Sequence, residues 1–240
     1  MENAHYFLHV TDTHLCFDAE APDICCTEQA LRSLYQTAFA WDHRPAFVLI
    51  TGDLVHEGTS ADYARAKTLL QELDEQYHTK TYPALGNHDN RENFNSAFRE
   101  QASDQPVDYC VQNEWLRWIV LDSSCGQVIG QLSGSQLAWL EQELCDPTDC
   151  PTILALHHPV YGTTTAETDA NNLATPDRLI RLLQDHPVDG ILCGHSHEAT
   201  LVTEQGLPPQ FVGAGAASAA LPLIQGRVQF RKQCWIQIGR

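Results

Sequence analysis

The sequence predicts an α/β fold with a largely parallel sheet arrangement, and three observations carry that expectation. Short apolar runs of strand length recur along the chain, helical patterns lie between them, and each of five clusters of metal-ligand residues directly follows one such run. In such a fold the clusters would all emerge at the carboxyl edge of a sheet, where α/β folds place their sites. With 240 residues and 43% hydrophobic content, the chain can bury a full core and is expected to form a single domain over 1–240.

Taken in order, strands are expected at Tyr6 to Val10, Ala46 to Ile50, Thr81 to Leu85, Leu116 to Leu121, Thr152 to Leu156 and Gly190 to Cys193. Their lengths suit buried strands. Helical patterns fall between them at Thr27 to Trp41, Ser60 to Tyr77, Gly134 to Leu144 and Pro176 to Asp185. Ser133 with Gln136 three residues on is a capping-box pattern, and Thr175 before Pro176 places a side-chain cap ahead of a favoured first helical residue. After Gly194 the pattern turns to glycine, alanine and β-like pieces at Gln210 to Val212, Val228 to Phe230 and Trp235 to Ile238. These are expected to be closing strands of a second sheet, without further helices.

Composition narrows the partners. Fourteen Lys and Arg against 31 Asp and Glu give a formal charge of −17, which opposes the salt-releasing attraction that drives binding to a nucleic-acid backbone. A long polynucleotide is therefore not the expected substrate, although cations bound at an acidic site would reverse the local potential and attract a small phosphate ester. No stretch approaches the ~18 apolar residues of a spanning helix, and Tyr6 to Val10 is too short for a signal peptide, so a cytoplasmic protein without membrane contact is expected. The nine cysteines include the adjacent Cys25 and Cys26 but show no zinc-like pairing, and they are expected to be reduced. Oligomeric state is not written in the sequence.

The five clusters are Asp12-Thr13-His14, Gly52-Asp53, Gly86-Asn87-His88-Asp89, His157-His158 and Gly194-His195-Ser196-His197, and six of the twelve histidines lie within them. Asp12 and His14 can turn a carboxylate oxygen and an imidazole nitrogen toward one ion. Asp53 can bridge two cations with one oxygen each, as two-metal catalysis requires, and Gly52 would let backbone and metal approach closely. Asn87 offers a neutral amide oxygen, while His88 is a natural general acid or charge-stabilising group with Asp89 placed to orient it. If His195 and His197 diverge in a tight turn, each can serve a different ion, with His157 completing the second set. Mixed oxygen and nitrogen donors without thiolate suit manganese, iron, cobalt or zinc. His158 is readable in several ways: supporting a ligand, facing substrate, or structural. His5, His9, His43, His78 and His186 are expected to be surface or hydrogen-bonded core residues.

These blocks resemble the calcineurin-like metallophosphoesterases, whose signature runs D-x-H, G-D, G-N-H-[DE], H, G-H-x-H in this order. The resemblance spans roughly residues 6–212 and implies a four-layer α-β-β-α sandwich with two mixed sheets, the metallo-dependent phosphatase fold. It further implies two divalent or mixed-valence ions (Mn, Fe, Zn or Co), with Asp12, His14, Asp53 and His197 on the first and Asp53, Asn87, His157 and His195 on the second. His88 would be the catalytic histidine. Protein serine/threonine phosphatases of the superfamily carry Asp-Arg-Gly and G-N-H-E, unlike Gly52-Asp53-Leu54 and Asp89 here. Purple acid phosphatases place a tyrosine ligand where His56 stands, which leaves open whether His56 approaches the metals.

The chain is most similar to the small class III cyclic nucleotide phosphodiesterases and related glycerophosphodiesterases. His88-Asp89-Asn90-Arg91, Leu121-Asp122-Ser123-Ser124 and the Gly130 to Leu140 segment carry that likeness. It implies in-line attack on phosphorus by a hydroxide bridging the two metals, most simply on a 3′,5′-cyclic nucleotide. Alternatives on the same site are a phosphomonoesterase, a nucleotide pyrophosphatase or a glycerophosphodiesterase, and a non-enzymatic alternative is a metal-binding scaffold. The loops Phe17 to Cys26 and Val160 to Thr175 would meet the non-phosphate part of the substrate, and neither carries a recognisable specificity motif. Arg91 reads as a solvated helix-start residue rather than a substrate contact.

Overall fold

A computed structural model describes residues 5–17, 27–162, 170–216, 226–229 and 234–238. In chain order its elements are β1 (His5–Val10), α1 (Thr27–Phe39), β2 (Val48–Thr51), α2 (Ser60–Tyr77), β3 (Thr81–Ala84), α3 (Arg91–Arg99), β4 (Tyr109–Gln112) and β5 (Arg117–Val120). They continue with α4 (Gly134–Cys145), β6 (Thr152–Ala155), α5 (Asp177–Asp185), β7 (Gly190–Cys193), β8 (Thr200–Val202), β9 (Gln210–Val212), β10 (Gly226–Gln229) and β11 (Cys234–Ile238). Two mixed sheets result, of order β10-β11-β1-β2-β3 and β4-β5-β6-β7-β9-β8. Within each, the strands that carry the motif blocks run parallel.

Strand alternation builds the layers, because successive side chains point to opposite faces. On one face of the first sheet Leu8, Val10, Val48 and Ile50 pack with Leu31 and Tyr35 of α1 and Leu69 and Leu73 of α2. Phe7 and Leu49 turn the other way, meeting Trp118, Val120, Ile153 and Leu192 of the second sheet. Phe47 stacks on Trp118 in that layer, ring centroids 4.3 Å apart. Ile119, Leu154 and Ile191 then face outward onto Leu140 of α4 and Leu183 of α5. Helices, sheet, sheet, helices: this is the four-layer sandwich the resemblance implies.

Ser133 and Gln136 form the expected capping box at α4, through Gln136 N to Ser133 Oγ at 3.2 Å and Ser133 N to Gln136 Oε1 at 2.9 Å. Three expectations need correction. Thr175 does not cap α5: it takes φ +49°, Pro176 stands at the cap position, and no side-chain cap bond forms. The helix α3, whose Asn90 cap accepts from Asn93 N, follows the third cluster and begins at Arg91, read from the sequence as a helix start but given no helical range there. The C-terminal strands divide: β8 and β9 close the second sheet, whereas β11 returns to pair in parallel with β1 in the first. That pairing covers an edge that β1 would otherwise leave open.

Residues 18–26 and 163–169, which include Cys25, Cys26 and much of the two loops expected to meet substrate, lie outside the described residues, as do Ala217 to Ala220 and Phe230. Among the described residues, Cys16, Cys110, Cys125, Cys145, Cys150 and Cys193 are free thiols. Among them also, no helix is long and apolar enough to cross a membrane.

Candidate active site

All five clusters stand just beyond the carboxyl ends of β1, β2, β3, β6 and β7, and they converge on one cleft of about 420 Å³. Its lining includes His14, Asp53, Asn87, His88, His195 and His197. The chain bends sharply to bring them there. Asp12, His14, Asp53, His195 and His197 all have positive φ, between 39° and 73°, and make up five of the eight non-glycine residues in that region among the described residues. Left-handed backbone costs a non-glycine residue on the order of 1–3 kcal/mol, and such residues cluster where function requires them.

Asp53 is the centre of the arrangement. Its Oδ1 accepts the His88 backbone N–H at 2.9 Å, which leaves Oδ2 facing inward. That one oxygen lies 3.5 Å from His14 Nε2 and 3.4 Å from His157 Nε2. Both imidazoles therefore face the same carboxylate oxygen. Around Oδ2 the donors fall into two sets.

In the first set His197 Nε2 lies 3.1 Å from Asp12 Oδ1 and 3.3 Å from His14 Nε2. In the second, Asn87 Oδ1 lies 3.1 Å from His157 Nε2 and 2.9 Å from His195 Nδ1, and those two nitrogens are 3.3 Å apart. The ligand atoms of Asp12, His14, Asp53 and His197 all lie within 4.8 Å of one another, a cluster able to hold a metal ion. Imidazole nitrogens held this close, beside buried carboxylates and without thiolate, are a donor set that fits divalent cations. Burial pushes the imidazoles of His14 and His195 down to about 4, so they favour the neutral form in which a histidine ligates. Burial acts the same way on His157, but the Asp53 carboxylate outweighs it and holds that ring up to about 9.

Gly52 allows the His157 side chain to approach the backbone closely. It has φ +87°, and a Cβ there would lie 2.4 Å from His157 Nδ1. His157 Nδ1 in turn bonds the Thr51 carbonyl at 2.9 Å, which directs Nε2 into the cleft.

His88 lines the cleft, and its Nδ1 bonds the backbone carbonyl of His56 at 2.9 Å. A carbonyl only accepts, so Nδ1 carries the proton and Nε2 remains for chemistry. Asp89 does not orient His88. It is buried and turned away, its Oδ2 accepting Gly86 N at 2.9 Å and Leu54 N at 3.1 Å, its Oδ1 accepting Tyr63 OH at 2.8 Å and Val55 N at 3.4 Å. Adjacent side chains diverge in this turn. Asp89 ties together the two loops that present Asp53 and Asn87, although burial lifts its carboxyl to about 7.

His56 thus contributes its carbonyl, while its ring packs against His14 and His88, with centroids 5.5 and 5.0 Å apart. His158, fully buried, has both ring nitrogens engaged, by Ser123 Oγ at 2.8 Å and the Val128 carbonyl at 3.0 Å. Arg91 does stand at a helix start and outside the cleft, but it is only partly exposed: its Nε bonds Asp122 Oδ2 at 2.7 Å and its guanidinium also reaches the Ser124 carbonyl. None of the five remaining histidines joins the site. His9 is buried against Thr51 Oγ1, His5 stacks on Trp115, His43 stacks on Tyr6, and His78 and His186 end α2 and α5.

Comparison with known proteins identifies the family. The family model described as calcineurin-like phosphoesterase matches residues 5–199. A probable cyclic nucleotide phosphodiesterase of Rhodococcus erythropolis is 36% identical over 206 residues, covering 85% of this chain and 68% of that one. A cAMP/cGMP dual specificity phosphodiesterase of Mycobacterium tuberculosis is 31% identical over 230 residues, covering 95% and 72%. In fold, the chain is similar to a dimetal phosphatase from Danio rerio, with a TM-score of 0.69 at 16% identity over 90% of this chain and 89% of the other. With its signature blocks gathered at one cleft and the family model matching most of its length, the chain belongs to the calcineurin-like phosphoesterase family.

Proposed function

We propose that this chain hydrolyses a small phosphodiester, foremost a 3′,5′-cyclic nucleotide, with the help of two divalent or mixed-valence ions drawn from Mn, Fe, Zn and Co. The observation that carries this reading is the single inward oxygen of Asp53, held at 3.4–3.5 Å from donors of two separate sets. Asp12, His14, Asp53 and His197 would hold one ion, and Asp53, Asn87, His157 and His195 the other. Bound there, the ions would supply Lewis acidity, an activated water and neutralisation of charge on the phosphoryl oxygens. The substrate class is supported by the relatives' names.

The chain's own residues supply the rest. Asp53 Oδ1 is anchored by the His88 amide, which keeps Oδ2 turned toward both donor sets. The His56 carbonyl fixes the His88 ring, leaving Nε2 to hold or give a proton at the departing alkoxide. Asp89 keeps the Gly52–Val55 and Gly86–Asn87 backbones in register from behind.

The test is a panel of manganese-reconstituted protein against cyclic AMP, a glycerophosphodiester, a nucleotide monophosphate and an artificial diester, together with His88→Ala and Asn87→Ala. The wild type is expected to cleave the diesters, cyclic AMP foremost. His88→Ala should lose about 10²–10⁴-fold in kcat with its metal content retained, whereas Asn87→Ala should lose metal along with turnover. Cleavage of monoesters alone, or a metal-depleted His88→Ala protein, would overturn the assignment.

A further inference from the structure

Beyond the candidate ligands, the cleft is lined by Val128, Asn171 and Ser196. Val128 belongs to the loop between β5 and α4 and is 53% exposed, and Asn171 lies in the segment before α5 and is also exposed. The main chain of Val128 is held from behind by a buried side chain. That support is His158.

The Val128 carbonyl only accepts, so His158 Nε2 is the donor at 3.0 Å, and Nδ1 must then accept from the Ser123 hydroxyl at 2.8 Å. Ser123 Oγ is itself fixed by the His158 backbone N–H at 3.3 Å. Gly130 lies directly on the ring, where an added Cβ would come within 2.3 Å of His158 Cγ. From Gly130 the connection passes to the second loop: Gly130 N bonds Asn172 O at 3.3 Å, and Ala174 N bonds Gly130 O at 2.7 Å.

We propose that His158 is a positioning residue that pins both loops, so that Val128 and Asn171 form a wall selecting the non-phosphate part of the substrate. An apolar side chain near an exposed carboxamide suits a flat heteroaromatic group, which lays its face on the one and its polar edge against the other. This rests on the phosphodiester reading above. His158 itself takes no part in ion binding or bond cleavage.

The experiment compares manganese-loaded wild type with His158→Ala, His158→Gln and His158→Asn. Substrates are cyclic AMP, bis(4-nitrophenyl) phosphate and methyl 4-nitrophenyl phosphate, the last two sharing a leaving group but differing in the second substituent. For His158→Ala, KM should rise about tenfold for the two aromatic diesters and less than about twofold for the methyl ester, with kcat and bound manganese unchanged. Amide exchange should accelerate at Gly130 and Ala174. Glutamine, whose amide N–H can reach the Val128 carbonyl, should restore KM, and asparagine, which is too short, should not. Manganese loss, equal KM changes for all three esters, or equal rescue by Asn and Gln would overturn the proposal. Should the wild type cleave no diester, the phosphodiester reading falls by itself. The pinning role then stands or falls on amide exchange in the Gln and Asn variants: unchanged protection in His158→Asn overturns it.

Discussion

Gly52→Ala is the sharpest test of how the second donor set is built. A Cβ at this position would sit 2.4, 2.5 and 2.6 Å from Nδ1, Cγ and Cβ of His157, where ordinary contact begins at 3.4 Å. The imidazole must retreat by about 1 Å, several times the roughly 0.2 Å tolerance of a metal–ligand bond. The 2.9 Å bond from His157 to the Thr51 carbonyl goes with it. Alanine at φ +87° adds backbone strain of about 1–2 kcal/mol, and the lost hydrogen bond about 1 kcal/mol more. At roughly 2–4 °C per kcal/mol for a chain of this size, Tm of the metal-free protein should fall by about 5–10 °C. Manganese affinity at the second set should fall at least about 10–100-fold, the usual cost of disturbing a ligand's support. Calorimetric melting and manganese titration with elemental analysis give both readings. A Gly52→Ala protein that melts with the wild type and takes up two ions at undiminished affinity would refute the account of His157.

Three further outcomes follow from the geometry. Asp89→Ala leaves three backbone N–H groups and the Tyr63 hydroxyl without their acceptor, so urea unfolding should show a loss of about 3–5 kcal/mol, with weaker manganese binding because both tethered loops relax. Arg91→Ala strips the fully buried Asp122 of its cation, although Val107 N and Ser124 N still donate to it, and should cost about 2–4 kcal/mol by the same measurement, with Arg91→Lys recovering only part. Without ions, Asp53 keeps the His157 ring protonated up to about 9, and this proton must leave before the ring can ligate. Apparent manganese affinity should therefore rise with pH by up to about tenfold per unit between about pH 6 and 9, with proton release seen by calorimetry in buffers of different ionisation heat; a flat profile would contradict it.

Much of the site could be read in the sequence because strand ends are local signals. Each ligand cluster follows an apolar run, and parallel strands deliver all such ends to one edge, so convergence followed without knowledge of the packing. What escaped was information carried by the backbone or by distant partners. Asp89 looked like a partner of His88 because it is its neighbour, yet the turn sends the two side chains apart. The true partner of His88 is a main-chain oxygen of His56, which no side-chain pattern encodes. His158 could not be resolved because its partners Ser123 and Val128 lie about thirty residues earlier. In the fold, α3 was given a start at Arg91 but no extent, because only Phe94, Ala97 and Phe98 mark its apolar side amid asparagines. The sheet to which β11 belongs depends on which edge is open, a tertiary fact.

The left-handed turns at Asp12, His14, Asp53, His195 and His197 have a consequence for how cations are captured. Since the chain is already curled at these points in the fold, a cation binding there would meet a cage whose backbone is already set. Its capture should be quick and should leave the heat capacity of the protein nearly unchanged. The tension in that cage is open to measurement by replacing one member, His14, with glycine and with alanine in turn. Both remove the imidazole, but only glycine relaxes the curl, so the difference in their melting reports how tightly the spring is wound.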